Sequence, residues 1–214
     1  MVKMSSLKSK SLRRPFFLFL ISCSMLGGLL SCGEDRRKAK PQSDSKLKMI
    51  KQGAELPEFR FMNQDSQYVT LADVKDKIHV MDFFFTSCPT ICPVMKSNML
   101  TVYEAFENEK DFIMVSHSID TRHDSVPVLR DYAERLEVKA PLWNFVTGDK
   151  IEIMDIARDY MVSALEDSTA PGGYAHSGAI ILFDKERNLR GYYDGTSEDE
   201  TQILIKDIQV LLNE

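Results

Sequence analysis

The apolar residues of this chain recur in short blocks with two different spacings. Residues 78–85, IHVMDFFF, and residues 112–119, FIMVSHSI, are almost continuously apolar, as is typical of strands buried on both faces. Residues 142–148 predict a third such strand. Two shorter strands are predicted at residues 59–62 and 67–70, because a turn-forming stretch, NQDS, joins them. The pattern therefore predicts an N-terminal hairpin followed by buried strands.

Helical spacing separates these strands. Residues 92–107 predict a helix whose buried stripe contains Met95, Met99, Tyr103 and Phe106. This spacing is what core packing needs, and we therefore prefer a packing role for the methionines to a copper-binding ladder.

Three more helices are predicted further along the chain. Residues 124–136 predict a helix that Asp124 or Ser125 caps, with Pro127 in its first turn. Residues 150–161 predict the next helix. The last is predicted at residues 197–212, where Ser197 and Glu200 have the spacing of a capping box.

The order of these elements predicts an α/β fold. Residues 178–195 predict a hairpin of two strands around 184–188, placed between the last two helices. Alternating strands and helices imply parallel pairing in the middle of the sheet, and the hairpin adds antiparallel strands. We expect a mixed central sheet flanked by helices, with a site beyond the carboxyl end of a strand.

The net charge argues against one class of function, and the beginning of the chain predicts export from the cytoplasm. A net charge of −5 over 214 residues, with no basic stripe, argues against nucleic-acid binding. Basic residues near the start precede the apolar run 15–30, which predicts a secretory signal. The run ends in LLSC and resembles a bacterial lipobox, in which Cys32 is lipidated. An uncleaved anchor is the alternative, and Arg13-Arg14 loosely resembles a twin-arginine signal.

These features divide the chain into three parts. Residues 1–32 are predicted to be a lipoprotein signal peptide, and residues 33–48, charged and almost free of apolar residues, a disordered tether. Residues 49–214 form the globular domain. We expect this domain in the bacterial cell envelope, on the extracytoplasmic side of a membrane to which lipid anchors it.

Two cysteines, Cys88 and Cys92, remain in the domain, since Cys23 lies in the signal. A structural disulfide is one interpretation for an exported protein. However, a bridge across so short a loop removes little entropy from the unfolded chain, which favours a redox-active or metal-binding pair. The pair lies between a strand and a helix start, where thiolates are stabilised, and soft thiolates select copper(I) or zinc.

A third ligand would come from one of four histidines. His79 and His117 lie in predicted buried strands and His123 in a polar loop, and we interpret none of them as a ligand. His176 follows a Gly/Pro-rich loop containing Gly172-Gly173, just before a strand. Such a loop can bring a side chain to the end of another strand, and Gly172-Gly173 would let it move.

Three motifs together resemble a known family. "FFFTSCPTICPVM", "SHSIDTRHDSVPVLRDYA" and "AHSGAIILFDKERNLRGYY" are similar to the signature blocks of the Sco/SenC family over about residues 57–212. The resemblance implies a thioredoxin-like fold and a copper ion, Cu(I) or Cu(II), held by Cys88, Cys92 and His176. It also implies delivery of copper to the dinuclear copper site of cytochrome c oxidase, with the copper-bearing subunit or another exported copper or thiol protein as partner.

The chain departs from the family pattern at three positions beside these motifs. Thr90 and Ala175 replace aspartates that are frequent in the family, and Thr121 replaces a usual proline. All three ligand positions are intact, so the departures bear on partner recognition rather than on copper binding.

A thiol–disulfide oxidoreductase is the alternative function. Cys88 and Cys92 would then form the redox-active pair that reduces an oxidase subunit or another exported protein. Asp82, six positions before Cys88, resembles the buried aspartate of thioredoxin-like reductants and could relay a proton. Alternatively, Asp82 is simply paired within the sheet. A peroxidase is disfavoured, because no arginine lies near Cys88 in sequence.

Overall fold

The computed structural model describes residues 45–48 and 58–214. The predicted signal peptide with Cys32, the tether up to residue 44 and the first residues of the domain, 49–57, lie outside this part of the chain. Among the described residues, no helix has the length and apolar character needed to cross a membrane.

The described chain contains nine strands and five helices. The strands are β1 (Arg60–Asn63), β2 (Tyr68–Thr70), β3 (Ile78–Phe84), β4 (Phe112–Ser118), β5 (Trp143–Thr147), β6 (Ala164–Glu166), β7 (Tyr174–His176), β8 (Ala179–Phe183) and β9 (Leu189–Asp194). The helices are α1 (Leu71–Val74), α2 (Ile91–Ala105), α3 (Val126–Arg135), α4 (Lys150–Asp159) and α5 (Glu198–Leu212).

Seven strands form one mixed sheet in the order β2-β1-β5-β4-β3-β8-β9. β3 pairs in parallel with β4, and β4 in parallel with β5. The remaining neighbours are antiparallel, including the β1–β2 hairpin and the β8–β9 hairpin. The predicted mixed sheet with a short N-terminal hairpin is confirmed.

Helices cover both faces of this sheet. Successive side chains of a strand point to opposite faces, so Asp82 and His79 of β3 face opposite ways. Asp82 contacts Lys96 of α2. His79 stacks on Phe183, whose ring contacts Tyr160 at the end of α4. The site that follows β3 therefore begins from a strand that is packed on both sides.

The structure differs from the predicted elements in two short regions. Helix α1 was not predicted, and neither was the two-stranded sheet of β6 and β7, which falls in the stretch expected to be a loop. These elements have three or four residues each, which is too short for a spacing to show.

The capping predictions are correct in part. Ser197 caps α5 by accepting a hydrogen bond from the Glu200 amide at 3.3 Å. The Glu200 carboxylate does not complete the box, because it accepts from the Asp194 amide at 2.7 Å instead. Ser125 is the N-cap residue of α3 without a side-chain cap, and Asp124 serves another purpose described below.

Residues 45–48, the last four of the predicted tether, contact the domain. The Lys46 amide donates to the Asp207 carboxylate at 2.9 Å, and the Lys48 amide donates to the Arg190 carbonyl at 2.8 Å. Leu47 packs against the core. Leu47, two hydrogen bonds from backbone amides and an ion pair between Lys46 and Glu200 attach this segment to the domain, although its composition is that of a disordered chain.

Candidate metal centre

Cys88 lies in the connection from β3 to α2 and Cys92 in the first turn of α2, and this connection is fixed to its neighbours. The Cys88 amide donates to the Phe85 carbonyl at 3.2 Å and makes a tight turn after the strand. Asp124 accepts from the amide and the hydroxyl of Thr86, at 3.0 and 2.5 Å, and from the Ser118 hydroxyl at 2.6 Å. One buried carboxylate thus joins the cysteine loop to the end of β4.

Cys88 sits just before α2, beside amide groups that have no partner within the helix. Burial alone would raise the pKa of the Cys88 thiol. The amides of Thr90 and Cys92 donate to its sulfur, however, and with the Cys92 thiol and the Thr90 hydroxyl they bring the pKa below its ordinary value. Cys88 is therefore the more acidic thiol of the pair.

Cys92 lies in the first turn of α2 and is more deeply buried, with 1% of its surface exposed against 7% for Cys88. Burial, together with its hydrogen bond to Cys88, raises the pKa of the Cys92 thiol to about 12. Both thiols are free. The environment thus separates their pKa values, and Cys92 needs a metal ion or a base to lose its proton.

His176 reaches the cysteines from strand β7. Its Nε2 lies 3.1 Å from the Cys92 sulfur, and its Nδ1 lies 3.1 Å from the carbonyl oxygen of Ser177. A carbonyl can only accept, so Nδ1 carries the proton and the lone pair of Nε2 faces the sulfur. Burial lowers the pKa of His176, which keeps the imidazole neutral and able to bind a metal.

These three side chains form one potential metal site. The sulfur atoms of Cys88 and Cys92 and a ring nitrogen of His176 all lie within 4.8 Å of one another. Among the described residues, no other group of three or more His, Cys, Asp or Glu side chains is arranged in this way. Two thiolates and one imidazole favour a soft ion such as copper(I) or zinc over a hard one.

The other histidines lie apart from this site. His79 and His117 are fully buried in β3 and β4, and burial lowers the pKa of each to about 4. His117 packs against Phe83 with ring centroids 5.3 Å apart. His123 pairs with Asp120, with 2.8 Å between Nδ1 and the carboxylate.

Asp82 lies in β3 and forms a buried ion pair. Its carboxylate is 2.5 Å from the Lys96 ammonium and 2.5 Å from the Ser116 hydroxyl. Lys96 also donates to Ser116 at 2.9 Å and lies over the ring of Phe84, 4.4 Å from its centroid. Of the two interpretations, the structure supplies the pairing, while a role for Asp82 in proton transfer stays a prediction.

The sequence did not identify three residues around the site. Phe85 packs its ring against those of Tyr174 and His176, with centroids 5.3 and 5.9 Å apart. The Tyr174 hydroxyl donates to Asp120 at 3.0 Å, and burial together with this bond raises the pKa of Tyr174 to about 12. The one available signal was that Phe85 and Asp120 lie in the first and second family motifs and that Tyr174 directly precedes the third.

The setting of His176 differs from the predicted flexible loop. His176 is the last residue of β7, opposite Ala164 of β6. Gly172 and Gly173 have φ of +84°, which glycine adopts most readily, and form the turn of this hairpin. A Cβ on Gly172 would lie 2.6 Å from the Phe85 ring. At this position glycine allows a close approach to the cysteine loop.

Solved structures resemble this one closely. A SCO1/SenC family lipoprotein from Bacillus anthracis is 29% identical, with a TM-score of 0.66 over 73% of this chain and 94% of that chain. Arabidopsis thaliana ScoI, solved with copper bound, is 25% identical, with a TM-score of 0.59 over 72% and 97%.

A third likeness supports the fold alone. BsSco, described as a member of the Sco family of cytochrome c oxidase assembly proteins, is 24% identical, with a TM-score of 0.63 over 74% of this chain and 93% of that chain. Together these structures confirm the predicted thioredoxin-like fold. The SCO1/SenC family profile matches residues 48–213, most of the sequence, and the chain therefore belongs to the SCO1/SenC family.

Proposed function

We propose that this protein is a copper chaperone that binds one copper ion through Cys88, Cys92 and His176 and delivers it to the dinuclear copper site of cytochrome c oxidase. The observation that carries the proposal is the convergence of two thiols and a neutral imidazole within 4.8 Å. Copper is the cargo, so the protein needs to bind and release it and needs no bond-making on a substrate.

The solved relatives support both parts of this proposal. The Arabidopsis protein was crystallised with copper bound. The chain belongs to the SCO1/SenC family, and BsSco is described as a member of the Sco family of cytochrome c oxidase assembly proteins. Family membership therefore favours a copper-bearing oxidase subunit as the partner.

The two thiols have different tasks in loading. Cys88 is the more acidic and offers the first thiolate to an incoming ion. Cys92 loses its proton as it binds, because a metal competes with the proton for the sulfur. His176 then adds its Nε2 lone pair. Release reverses this order by ligand exchange, and the weakest ligand, the imidazole, leaves the copper first.

The protein acts at a membrane in this proposal. The basic and apolar leader and LLSC support lipidation of Cys32 and anchoring in the bacterial cell envelope, and the Bacillus anthracis relative is described as a lipoprotein. Mass spectrometry of the purified N-terminus tests this. We expect a mature chain that begins with a lipid-modified Cys32, and an intact Met1 would contradict lipidation and favour the uncleaved anchor instead.

Oxidase activity in a bacterial strain that lacks this protein tests the delivery function. The wild-type gene should restore the activity, whereas Cys88→Ser and His176→Ala should not. Arg158→Ala is the control, since Arg158 forms an exposed ion pair with Asp155 on α4, outside the site, and it should restore activity fully. Normal oxidase assembly with Cys88→Ser would overturn the proposal.

Thiol–disulfide exchange is the second candidate, favoured by the unequal thiols. The Cys88 thiolate would attack a partner disulfide and form a mixed disulfide. The Cys92 thiolate would then attack the Cys88 sulfur and release the partner. The pair ends as a disulfide, and the partner gains two electrons and leaves as two thiols after taking up protons.

Loss of thiol–disulfide exchange in Asp82→Asn, with copper affinity retained, would support this function. Equal exchange rates would remove the role of Asp82.

A further inference from the structure

His176 makes no backbone ladder with the main sheet, although only two residues separate it from β8, which belongs to that sheet. Strand β7 pairs with β6 in a separate two-stranded sheet, whereas both cysteines follow β3 of the seven-stranded sheet. No backbone ladder of the described residues therefore links β7 to β3. The distance from the imidazole to the sulfurs therefore depends on this short connection to β8 and on contacts made by side chains.

Tyr174 and His176 are the two side chains that make such contacts from β7. They are two residues apart on a strand and so point to the same side. The Tyr174 hydroxyl donates to Asp120 at 3.0 Å, while His176 Nε2 lies 3.1 Å from the Cys92 sulfur. Asp120 is buried and lies just after β4, the parallel neighbour of β3. The hairpin is thus attached to the domain on both sides of the site.

Phe85 fills the space between these two contacts. Its ring packs against both Tyr174 and His176, and Gly172 in the hairpin turn approaches the same ring. Packing of this kind keeps the hairpin close but has little directional preference. The hydrogen bond from Tyr174 to Asp120 is directional, and its acceptor is fixed in the core.

We propose that Tyr174 is a positioning residue for copper binding, whose hydrogen bond to Asp120 acts as a latch that holds His176 at the metal. The inference rests on the proposed copper function. With the latch closed, the imidazole stays within reach of the ion. When it opens, the β6–β7 hairpin loses its directional contact with the core and His176 leaves the copper, which prepares the ion for transfer.

Tyr174→Phe removes the hydroxyl and keeps the ring against Phe85. One hydrogen bond to a carboxylate corresponds to roughly a tenfold effect on an equilibrium. We expect about tenfold weaker Cu(II) binding, and faster release of copper to a chelator. Tyr192→Phe is the matched control, because its hydroxyl donates to the Tyr160 carbonyl at 2.8 Å away from the site. It should change neither quantity.

A second measurement needs no copper. In the reduced, metal-free protein, ¹⁵N relaxation of the His176 ring should show greater mobility in Tyr174→Phe than in wild type or Tyr192→Phe. Asp120→Ala should have the same effect. The double variant should be no worse than Asp120→Ala alone, since Asp120→Ala already removes the bond to Tyr174 together with the contact to His123. The thermal midpoint of Tyr174→Phe should stay close to that of wild type, which separates positioning from stability.

The outcomes distinguish the latch from the chaperone function. If the wild-type protein binds no copper, the proposed function fails, and the mobility of the His176 ring still decides whether the latch exists. If Tyr174→Phe equals Tyr192→Phe in Cu(II) affinity, in copper release and in His176 mobility, the latch is wrong. Additive effects in the Tyr174→Phe/Asp120→Ala variant would also overturn it.

Discussion

The two cysteines and the histidine of the site are held in different ways. Cys88 and Cys92 follow a central strand, and buried side chains tie their loop to the neighbouring strand. His176 lies on a three-residue strand outside the main sheet. The sulfurs are therefore tied to the main sheet, whereas the nitrogen comes from a short hairpin that is not part of that sheet.

This difference matches what a carrier of copper needs. Two thiolates alone can hold Cu(I), so the fixed part of the site retains the cargo. Cu(II) prefers nitrogen ligands and a tetragonal site, so the hairpin part controls how tightly that form is bound. A protein that must pass copper on gains from a ligand that it can withdraw at a small energetic cost.

The largest effect is expected beneath the cysteines, from Asp82→Ala. The change leaves the Lys96 ammonium, whose side chain is 2% exposed, without its anion. Breaking a buried pair in this way costs about 3–5 kcal/mol of unfolding free energy. Chemical denaturation should show this loss.

A double variant makes the first prediction sharper. Asp82→Leu/Lys96→Met removes both charges and should be clearly more stable than Asp82→Ala. If Asp82→Ala unfolds at the same denaturant concentration as wild type, the pair of Asp82 and Lys96 contributes less to the free energy of unfolding than we infer.

The second prediction concerns pH and the buried His117. Its pKa is about 4 in the folded chain, because burial disfavours the charged ring, against an ordinary value of 6.5. The unfolded chain binds the proton more tightly, so this contribution is complete above about pH 6.5 and is lost as the pH falls toward 4. From pH 7 to pH 4, wild type should lose about 3 kcal/mol more than His117→Leu.

The measured quantity is the difference between the stability–pH curves of wild type and His117→Leu. In this difference, the contributions of the carboxylates that both proteins share cancel. Among the described residues, the ring nitrogens of His117 make no hydrogen bond of good geometry, although the Asp82 backbone lies close enough to favour the charged ring, so the variant loses little hydrogen bonding. Parallel curves would mean that the ring is solvated or paired in solution.

The third prediction concerns His176 on the β6–β7 hairpin. His176→Ala should weaken Cu(II) binding at least about tenfold, or about 1.4 kcal/mol, and Cu(I) binding less, because both thiolates remain. Competition against a chelator measures both affinities. Stability should change little, because the residue lies outside the main sheet. Equal affinities for both oxidation states in wild type and His176→Ala would show that the histidine is no ligand.

The smallest effect is expected on the outer side of the hairpin. Lys150 and Glu166 form an exposed ion pair between α4 and β6. Solvent and salt screen such a pair, so Lys150→Ala should leave the thermal midpoint unchanged within error. A large loss of stability would show that the hairpin is integrated into the core, against our comparison.

The sequence predicted the sheet and the long helices because burial there follows a regular spacing. Strand β3 was predicted at residues 78–85 and runs from Ile78 to Phe84, and the helix predicted at 92–107 runs from Ile91 to Ala105. The cysteine positions followed from the same logic, since they come directly after one of these strands.

The surroundings of His176 could not be predicted in the same way. A three-residue strand leaves no periodic signal, and the contacts of Tyr174 and Phe85 join residues far apart in sequence. The partner of Asp82 was equally hidden. Lys96 is a charged residue on the buried side of a helix, and its ion pair becomes visible only when β3 and α2 are packed together.

X-ray absorption spectroscopy of the reduced protein loaded with copper tests the central claim most directly. We predict one copper per chain, bound by two sulfur atoms and one imidazole nitrogen, with the nitrogen lost in His176→Ala and binding lost in Cys88→Ser. A copper ion without sulfur ligands, or binding that survives the Cys88→Ser change undiminished, would contradict the account.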